Sequence, residues 1–404
     1  MTLCLENCVL LDMVHADPQH GAVVTIEGDR IARVGRRADF GSALNDETPR
    51  IDLGGCYLMP GIADSHVHLT QALSTRFGTP DALSLQPDAA LAYLCEQNAW
   101  QALRRGLTML RVVGEGRFLD VHLRNAIDNG TVVGPRLFVS GHLIIRTAGH
   151  GHGMISSVEV DGPYEAVKAV RQQVAAGADF IKLMVTGGVA SMTDPVDRPQ
   201  FLDEELEAAV RAARLCGKVV AVHAGEPRII ERCARLGVTS VEHGYIMDER
   251  AAQAMAECGT YLVPTLVVTH DWEYISNRPQ WVQEKVKRVA EKHVRSFELA
   301  RAAGVKIVAG TDVPDFKEYI YREIELLSSM GMRGAEVLTA ATRTPAEMCG
   351  LSAHLGTVEP GKFADLIVIG SDPREPRGLR DLKMVIKGGV VHLNNLARAS
   401  KGWW

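Results

Sequence analysis

Two histidines separated by one residue, His66 and His68, close the stretch Leu58-Met-Pro-Gly-Ile-Ala-Asp-Ser-His-Val-His-Leu69. In an extended strand, residues i and i+2 point to the same side. Both imidazoles can therefore reach one metal ion from a single strand end. Taken alone, His-x-His is a short motif that also arises by chance in solvated loops. Further polar groups stand in apolar runs downstream. His223 closes Val219-Val-Ala-Val-His, His243 closes Ser240-Val-Glu-His, and Asp312 closes Val308-Ala-Gly-Thr-Asp, while Lys182 interrupts Phe180-Ile-Lys-Leu-Met-Val. Each has a plain reading as well. A strand-end histidine is often a hydrogen-bonded core residue, an Asp there is often a helix N-cap, and a lysine in an apolar strand usually snorkels outward. A buried lysine is costly to keep charged, so Lys182 needs a special reason for its position.

The elements that must position these groups follow from the texture of the chain. Up to about residue 57 the sequence reads as short strands with turns, including a hairpin around Gly28-Asp29. From 58 onward, short apolar runs alternate with helical patterns, the mark of β/α units. The candidate strands are 58–64, 107–113, 136–140, 180–186, 219–223, 240–243, 261–267 and 306–312. Helical stripes cover 202–215, 284–303 and 335–349. Eight β/α units predict an α/β fold, a (β/α)₈ TIM barrel over 58–354. The tail returns to strands around 356–370 and 384–392. Segments 1–57 and 355–395 are expected to pair into a small β-sandwich domain, leaving 396–404 as a tail. The terminal Trp403-Trp404 reads as a loose end or a subunit contact. In such a barrel, six side chains from the ends of different strands, His66, His68, Lys182, His223, His243 and Asp312, converge at the C-terminal mouth, where barrel enzymes build their sites.

The pattern Pro-Gly-x-x-Asp-x-His-x-His, a strand-4 lysine, histidines ending strands 5 and 6 and Thr-Asp at strand 8 resembles the metal-dependent amidohydrolase superfamily. Gly356-Thr-Val-Glu-Pro-Gly-Lys-Phe-Ala-Asp-Leu resembles that superfamily's return to the sandwich, so the likeness covers nearly the whole chain. The binuclear branch implies two divalent metal ions. His66, His68 and Asp312 would hold the more buried ion and His223 and His243 the more exposed one. Lys182, modified to N6-carboxylysine by CO₂, would span both. Ligands of this type suit zinc. The implied reaction is attack by a metal-bridging hydroxide, with Asp312 taking the proton and delivering it to the leaving nitrogen.

Within that superfamily, Ile181-Lys-Leu-Met-Val-Thr-Gly-Gly-Val-Ala-Ser-Met-Thr-Asp-Pro, His223-Ala-Gly, Glu242-His-Gly-Tyr and Gly134-Pro-Arg-Leu-Phe-Val-Ser-Gly are similar to Xaa-Pro dipeptidases, related carboxypeptidases and ochratoxin-type amidases. These enzymes release an amino acid with a free carboxylate. The resemblance implies that Tyr245 hydrogen-bonds the polarised carbonyl and that His142 contacts substrate. Tyr245 also reads as a packing aromatic. Arg146 and Arg198 are candidate carboxylate clamps, since a guanidinium suits bidentate binding, though each taken singly reads first as a plain surface arginine. The loop Gly149-His-Gly-His-Gly153, with His150 and His152, lacks the acidic residue expected after its second glycine. It is a metal-reaching pair or a flexible rim loop. Arg111-Val-Val-Gly stands where the look-alikes carry Arg-Asp. These departures touch the substrate rather than the metal site.

The formal charge of −5 argues against a nucleic-acid or anionic-membrane partner. No run of eighteen apolar residues predicts a spanning helix, and the N-terminus lacks a basic n-region. Eight scattered cysteines without a Cys-x-x-Cys pair fit a reducing cytoplasm. The expected partner is a small-molecule amide with a free carboxylate, and the family implies a homo-oligomer. Two alternatives stand beside the amidase or dipeptidase: a hydrolase of another C–N bond (cyclic amide, urea or carbamate), and a non-catalytic barrel.

Overall fold

The computed structural model describes residues 2–43, 48–70, 81–192, 194–313, 316 and 318–396, and Trp403-Trp404 lie outside them. In chain order the strands are β1 (Thr2–Leu10), β2 (Gln19–Glu27), β3 (Arg30–Arg36), β4 (Arg50–Asp52), β5 (Tyr57–Pro60), β6 (Ile62–Val67), β7 (Leu107–Val112), β8 (Arg136–Val139) and β9 (Leu143–Arg146). They continue as β10 (Ser157–Val160), β11 (Phe180–Met184), β12 (Val219–Ala224), β13 (Ser240–His243), β14 (Tyr261–Val263), β15 (Leu366–Ile369), β16 (Leu382–Lys387) and β17 (Val390–Asn394). The chain divides into two compact units, one of residues Met1–Ala63, Trp100–Met109 and Leu327–Trp404, the other of Asp64–Ala99 and Leu110–Leu326.

In the first unit the N- and C-terminal strands share one sheet, ordered β17-β16-β15-β5-β1-β2-β3 with β4 paired to β1. The sheet folds back on itself, because Ile31 N donates to Lys362 O and Ala364 N to Asp29 O. Period-2 alternation sends Leu5, Val24, Ile26, Leu58, Leu366, Val368, Met384 and Ile386 into the enclosed core. The run at 58–64, expected as one strand, is two strands belonging to two sheets. Gly61 is the joint. A Cβ there would stand 2.1 Å from Thr108 Oγ1, so only glycine lets the backbone pass.

The second unit carries the TIM barrel. Parallel pairing runs β9-β11-β12-β13-β14, and β6-β7-β8 forms a second arc. Asp179 N donates to Val139 O across the β8–β11 gap, and the Leu262–Ile307 bridge with Ser65 N→Ala309 O closes the ring. The last barrel position, expected as a strand over 306–312, is held by those contacts rather than a full ladder. The seventh strand is shorter than its apolar run, because Pro264 removes a ladder donor and Thr265 turns at φ 51°. The third continues past Gly141 into β9 and β10, two strands missing from the sequence reading. The expected helix 335–349 is two, Ala335–Ala341 and Arg343–Met348, broken at Thr342 (φ −132°). Pro345 cannot donate to the residue 341 carbonyl and crowds it. No helix of the described residues is long and apolar enough to cross a membrane.

Candidate metal centre

The strand ends deliver their polar side chains to one cavity of about 410 Å³, lined by His66, His68, Lys182, His223, His243 and Asp312 among others. One ligand atom from each of His66, His243 and Asp312 lies within 4.8 Å of the others. His68 Nε2 is 3.5 Å and His66 Nε2 3.6 Å from Asp312 Oδ1. The His223 and His243 ring centroids are 4.5 Å apart. The six residues named from the sequence are therefore brought to one cavity wall.

Each imidazole is held by a protein group at one nitrogen, which frees the other. His66 Nδ1 meets Glu242 Oε2 at 2.8 Å, His68 Nδ1 meets Gly114 O at 2.7 Å, and His243 Nδ1 meets Thr265 Oγ1 at 2.7 Å. His223 is held the other way, through Nε2 to Gly187 O at 2.9 Å. A carboxylate or a carbonyl only accepts, so the proton of His66 and His68 sits on Nδ1 and that of His223 on Nε2. This outer fixing of a ring is the usual support of a metal-ligating histidine. Burial pushes His66 down to about 4, with the Lys182 charge adding to it, so the ring is neutral at pH 7 and keeps a lone pair.

Two of the six residues have left-handed backbones, His243 at φ 67° and Asp312 at φ 56°. Such conformations persist only where neighbours over-determine them. His293 Nε2 reaches the His243 carbonyl at 3.0 Å and Ser296 Oγ reaches that of Tyr245 at 3.2 Å, both from the helix Gln280–Ala302. Asp64, buried, takes Thr311 Oγ1 at 2.7 Å, Thr311 N at 3.0 Å and His66 N at 3.2 Å. It thus ties the His66 strand to the segment that ends in Asp312.

Lys182 is 1% exposed, and its Nζ has no hydrogen-bond partner among the described residues. Burial lowers its pKa to about 8; Glu242 opposes that and Arg111 adds to it. A buried amine without an acceptor costs several kcal/mol unless another group completes it. That orphan, with four imidazoles and a carboxylate, is a donor set that fits divalent cations.

The amidohydrolase family profile matches residues 57–393. The chain belongs to the amidohydrolase family. It is 30% identical over 390 residues to the ochratoxinase of Aspergillus niger, covering 89% of this chain and 79% of that one. It is 25% identical over 395 residues to the imidazolonepropionase of Hyphomonas neptunium, covering 90% and 92%. A solved Xaa-Pro dipeptidase with methionine bound in its active site superposes with a TM-score of 0.86 at 30% identity, covering 98% of this chain and 100% of that one. Amidohydrolases are generally metal-dependent, and this one is an amide-hydrolysing enzyme with a candidate metal-binding group in its barrel.

Of the remaining expected site residues, Tyr245 lines the amidohydrolase cavity, 1% exposed and stacked on His243 at 4.8 Å. His142 does not line it. Its Nε2 accepts from Arg117 N at 3.2 Å and its ring packs edge-on against Phe118. Arg146 and Arg198 are also away from the cavity wall. Arg146 bonds Thr147 O and Asp194, and Arg198 is exposed. The loop 149–153 is not simply a rim. His150 is 5% exposed, held by Gln200 Oε1 accepting from its backbone N at 2.8 Å, and its ring lies 4.6 Å from that of His223. His152 points to Glu159 on the exposed side.

A buried ion pair behind the cavity was missed. Arg111 Nη1 and Nη2 both lie 3.1 Å from Glu242 Oε1, Nη2 also reaches Ser240 Oγ at 2.7 Å, and Phe180 underlies the guanidinium at 4.7 Å. The Arg111 and Lys182 charges hold Glu242 far below the usual carboxylate range despite its burial. It is thus ionised when it accepts the hydrogen bond from His66 Nδ1. Glu242→Gln is expected to weaken metal binding by about 10–100-fold. It should also lower stability by ~3–5 kcal/mol, because Arg111 loses its counter-charge. Metal titration and thermal unfolding on the same preparations check both.

Proposed function

We propose that this amidohydrolase is a binuclear hydrolase that cleaves the amide bond of N-acyl amino acids or Xaa-Pro-type dipeptides. The observation that carries this reading is the Lys182 amine, buried in a wall of imidazoles without an acceptor among the described residues. A neutral amine adds to CO₂, forming a nitrogen–carbon bond and releasing one proton. The resulting carbamate turns an orphaned donor into an oxygen ligand. With its pKa near 8, Lys182 reaches the neutral form more readily than an exposed lysine. In this reading carboxylated Lys182 would supply oxygen ligands to two cations, one that His66, His68 and Asp312 would hold and one that His223 and His243 would hold. The ligand types favour zinc. When bound, such cations polarise the scissile carbonyl and acidify water.

The residues of the chain supply the rest. Burial works against the Asp312 carboxylate, but His66, His68 and Lys182 outweigh it and hold its pKa at about 2. It is therefore ionised at neutral pH, suited to take a proton from the attacking water and pass it to the leaving nitrogen. Burial pushes the Tyr245 hydroxyl well above its ordinary value, so it stays a donor for a carbonyl oxygen. The substrate contact expected of His142 falls in this reading to His150, whose Nδ1 is buried without a partner among the described residues. Assembly as a homo-oligomer and a cytoplasmic setting belong to the same proposal.

The ochratoxinase and Xaa-Pro dipeptidase relatives support release of an amino acid. The match to imidazolonepropionase favours a second reading, hydrolysis of a cyclic amide or related C–N bond. A panel of N-acyl amino acids, Xaa-Pro dipeptides, cyclic amides, ureas and carbamates, assayed at fixed metal loading, separates the two. The first predicts turnover confined to acyclic amides bearing a carboxylate. Turnover of a cyclic amide, urea or carbamate with none of any carboxylate-bearing acyclic amide removes it in favour of the second.

A further inference from the structure

The arginines that the sequence offered for a substrate carboxylate stand away from the cavity, and a different one stands in it. Arg278 lines the same cavity as His66, Lys182 and Asp312. It is half-buried, and its guanidinium lies over the Tyr274 ring at 5.1 Å. No carboxylate among the described residues pairs with it. An arginine over an aromatic face is oriented but not neutralised, so its fork of donors remains for an anion.

Its backbone is fixed. Arg278 N donates to Ile275 O at 3.0 Å, and Gln283 Nε2 donates to Arg278 O at 2.8 Å. Pro279 follows, restricting the residue before it and opening the helix Gln280–Ala302. That helix also carries His293 and Ser296, which grip the segment from His243 to Tyr245. One rigid element therefore places the cation and the metal-ligating segment at a set separation. Met154, Ile155, Val189, Trp281 and Val282 give the same cavity an apolar wall. A carboxylate entering this cavity meets a guanidinium that no carboxylate among the described residues pairs, and a guanidinium suits a charge-assisted bidentate pair.

We infer that Arg278 binds the free carboxylate of the substrate, and that the enzyme selects amides whose departing amino acid presents that carboxylate across an apolar wall. The inference rests on the amidase reading above and names the group that sets its specificity. The test uses the metal-loaded full chain with a matched pair, an N-acetyl amino acid carrying an apolar side chain and its C-terminal carboxamide. Acetate release is followed for wild type, Arg278→Lys and Arg278→Gln, with thermal unfolding confirming that each variant folds. Wild type is expected to favour the carboxylate by roughly 10- to 100-fold in kcat/KM, the range of a hydrogen-bonded charge pair. Arg278→Gln should bring that ratio toward one, chiefly through KM, and Arg278→Lys should retain part of it. An unchanged ratio in Arg278→Gln overturns the assignment. A wild type without preference for the carboxylate also overturns it while leaving an amidase. A wild type that cleaves neither compound overturns the amidase reading and this inference with it.

Discussion

Lys182→Ala is expected to lose turnover by roughly 10³-fold, which is ~4 kcal/mol of barrier, and to lose the paired loading of metal. The cause is chemical, not volumetric. On the proposed reading, an alanine would supply no oxygen to span the two sites, and like-charged cations there would lack an anion between them. Short carboxylic acids should restore part of the activity, because the deleted side chain leaves room for a carboxylate in the same wall. The wild-type enzyme offers a companion result. Addition to CO₂ needs the unprotonated amine, and burial lowers Lys182 to about 8. Metal-stripped enzyme given bicarbonate and zinc should therefore regain activity faster at pH 8.5 than at pH 6.5. Wild-type activity in Lys182→Ala would refute the bridge.

Asp312→Asn carries the second large effect. Asp312 is held ionised at about 2 by His66, His68 and Lys182 in spite of its burial. Its backbone is fixed at φ 56° by Asp312 N donating to His66 O at 2.8 Å, a bond the amide variant keeps. The variant should fold with its imidazoles in place, and stability should change little beside activity. It cannot take a proton from water, so kcat is expected to fall by about 10²–10⁴-fold, the usual share of general acid–base catalysis. Steady-state kinetics at saturating metal, with metal content measured in parallel, separates this from simple loss of a ligand. A kcat within a few-fold of wild type would remove Asp312 from proton transfer.

The barrel was legible because its strands and helices differ in hydrophobic period, and Lys182 because a charge inside an apolar strand is costly. The same signal was present in Leu107-Thr-Met-Leu-Arg-Val and Ser240-Val-Glu-His, and it marks the Arg111–Glu242 pair that fixes His66. Applied evenly, it would have found both. What failed lay in loops, where distant contacts decide which side chain faces the cavity. Gln200, fifty residues away, draws the His150 backbone inward from a glycine-rich stretch. Lys285 Nζ gathers the carbonyls of Gly188, Ser191 and Asp194. No local pattern around Arg146, Arg198 or Arg278 separates the one that lines the cavity from the two that do not. The division of 58–64 at Gly61 was likewise invisible, because it depends on Thr108 lying against the chain there.

The most direct test is a crystal structure of protein loaded with zinc in bicarbonate, with anomalous diffraction recorded at the zinc edge. Two anomalous peaks are predicted, one ligated by His66, His68 and Asp312 and one by His223 and His243, with density beyond Lys182 Nζ for a carboxylate reaching both. An unmodified Lys182, remote from His223 and His243 in fully loaded protein, would contradict the account.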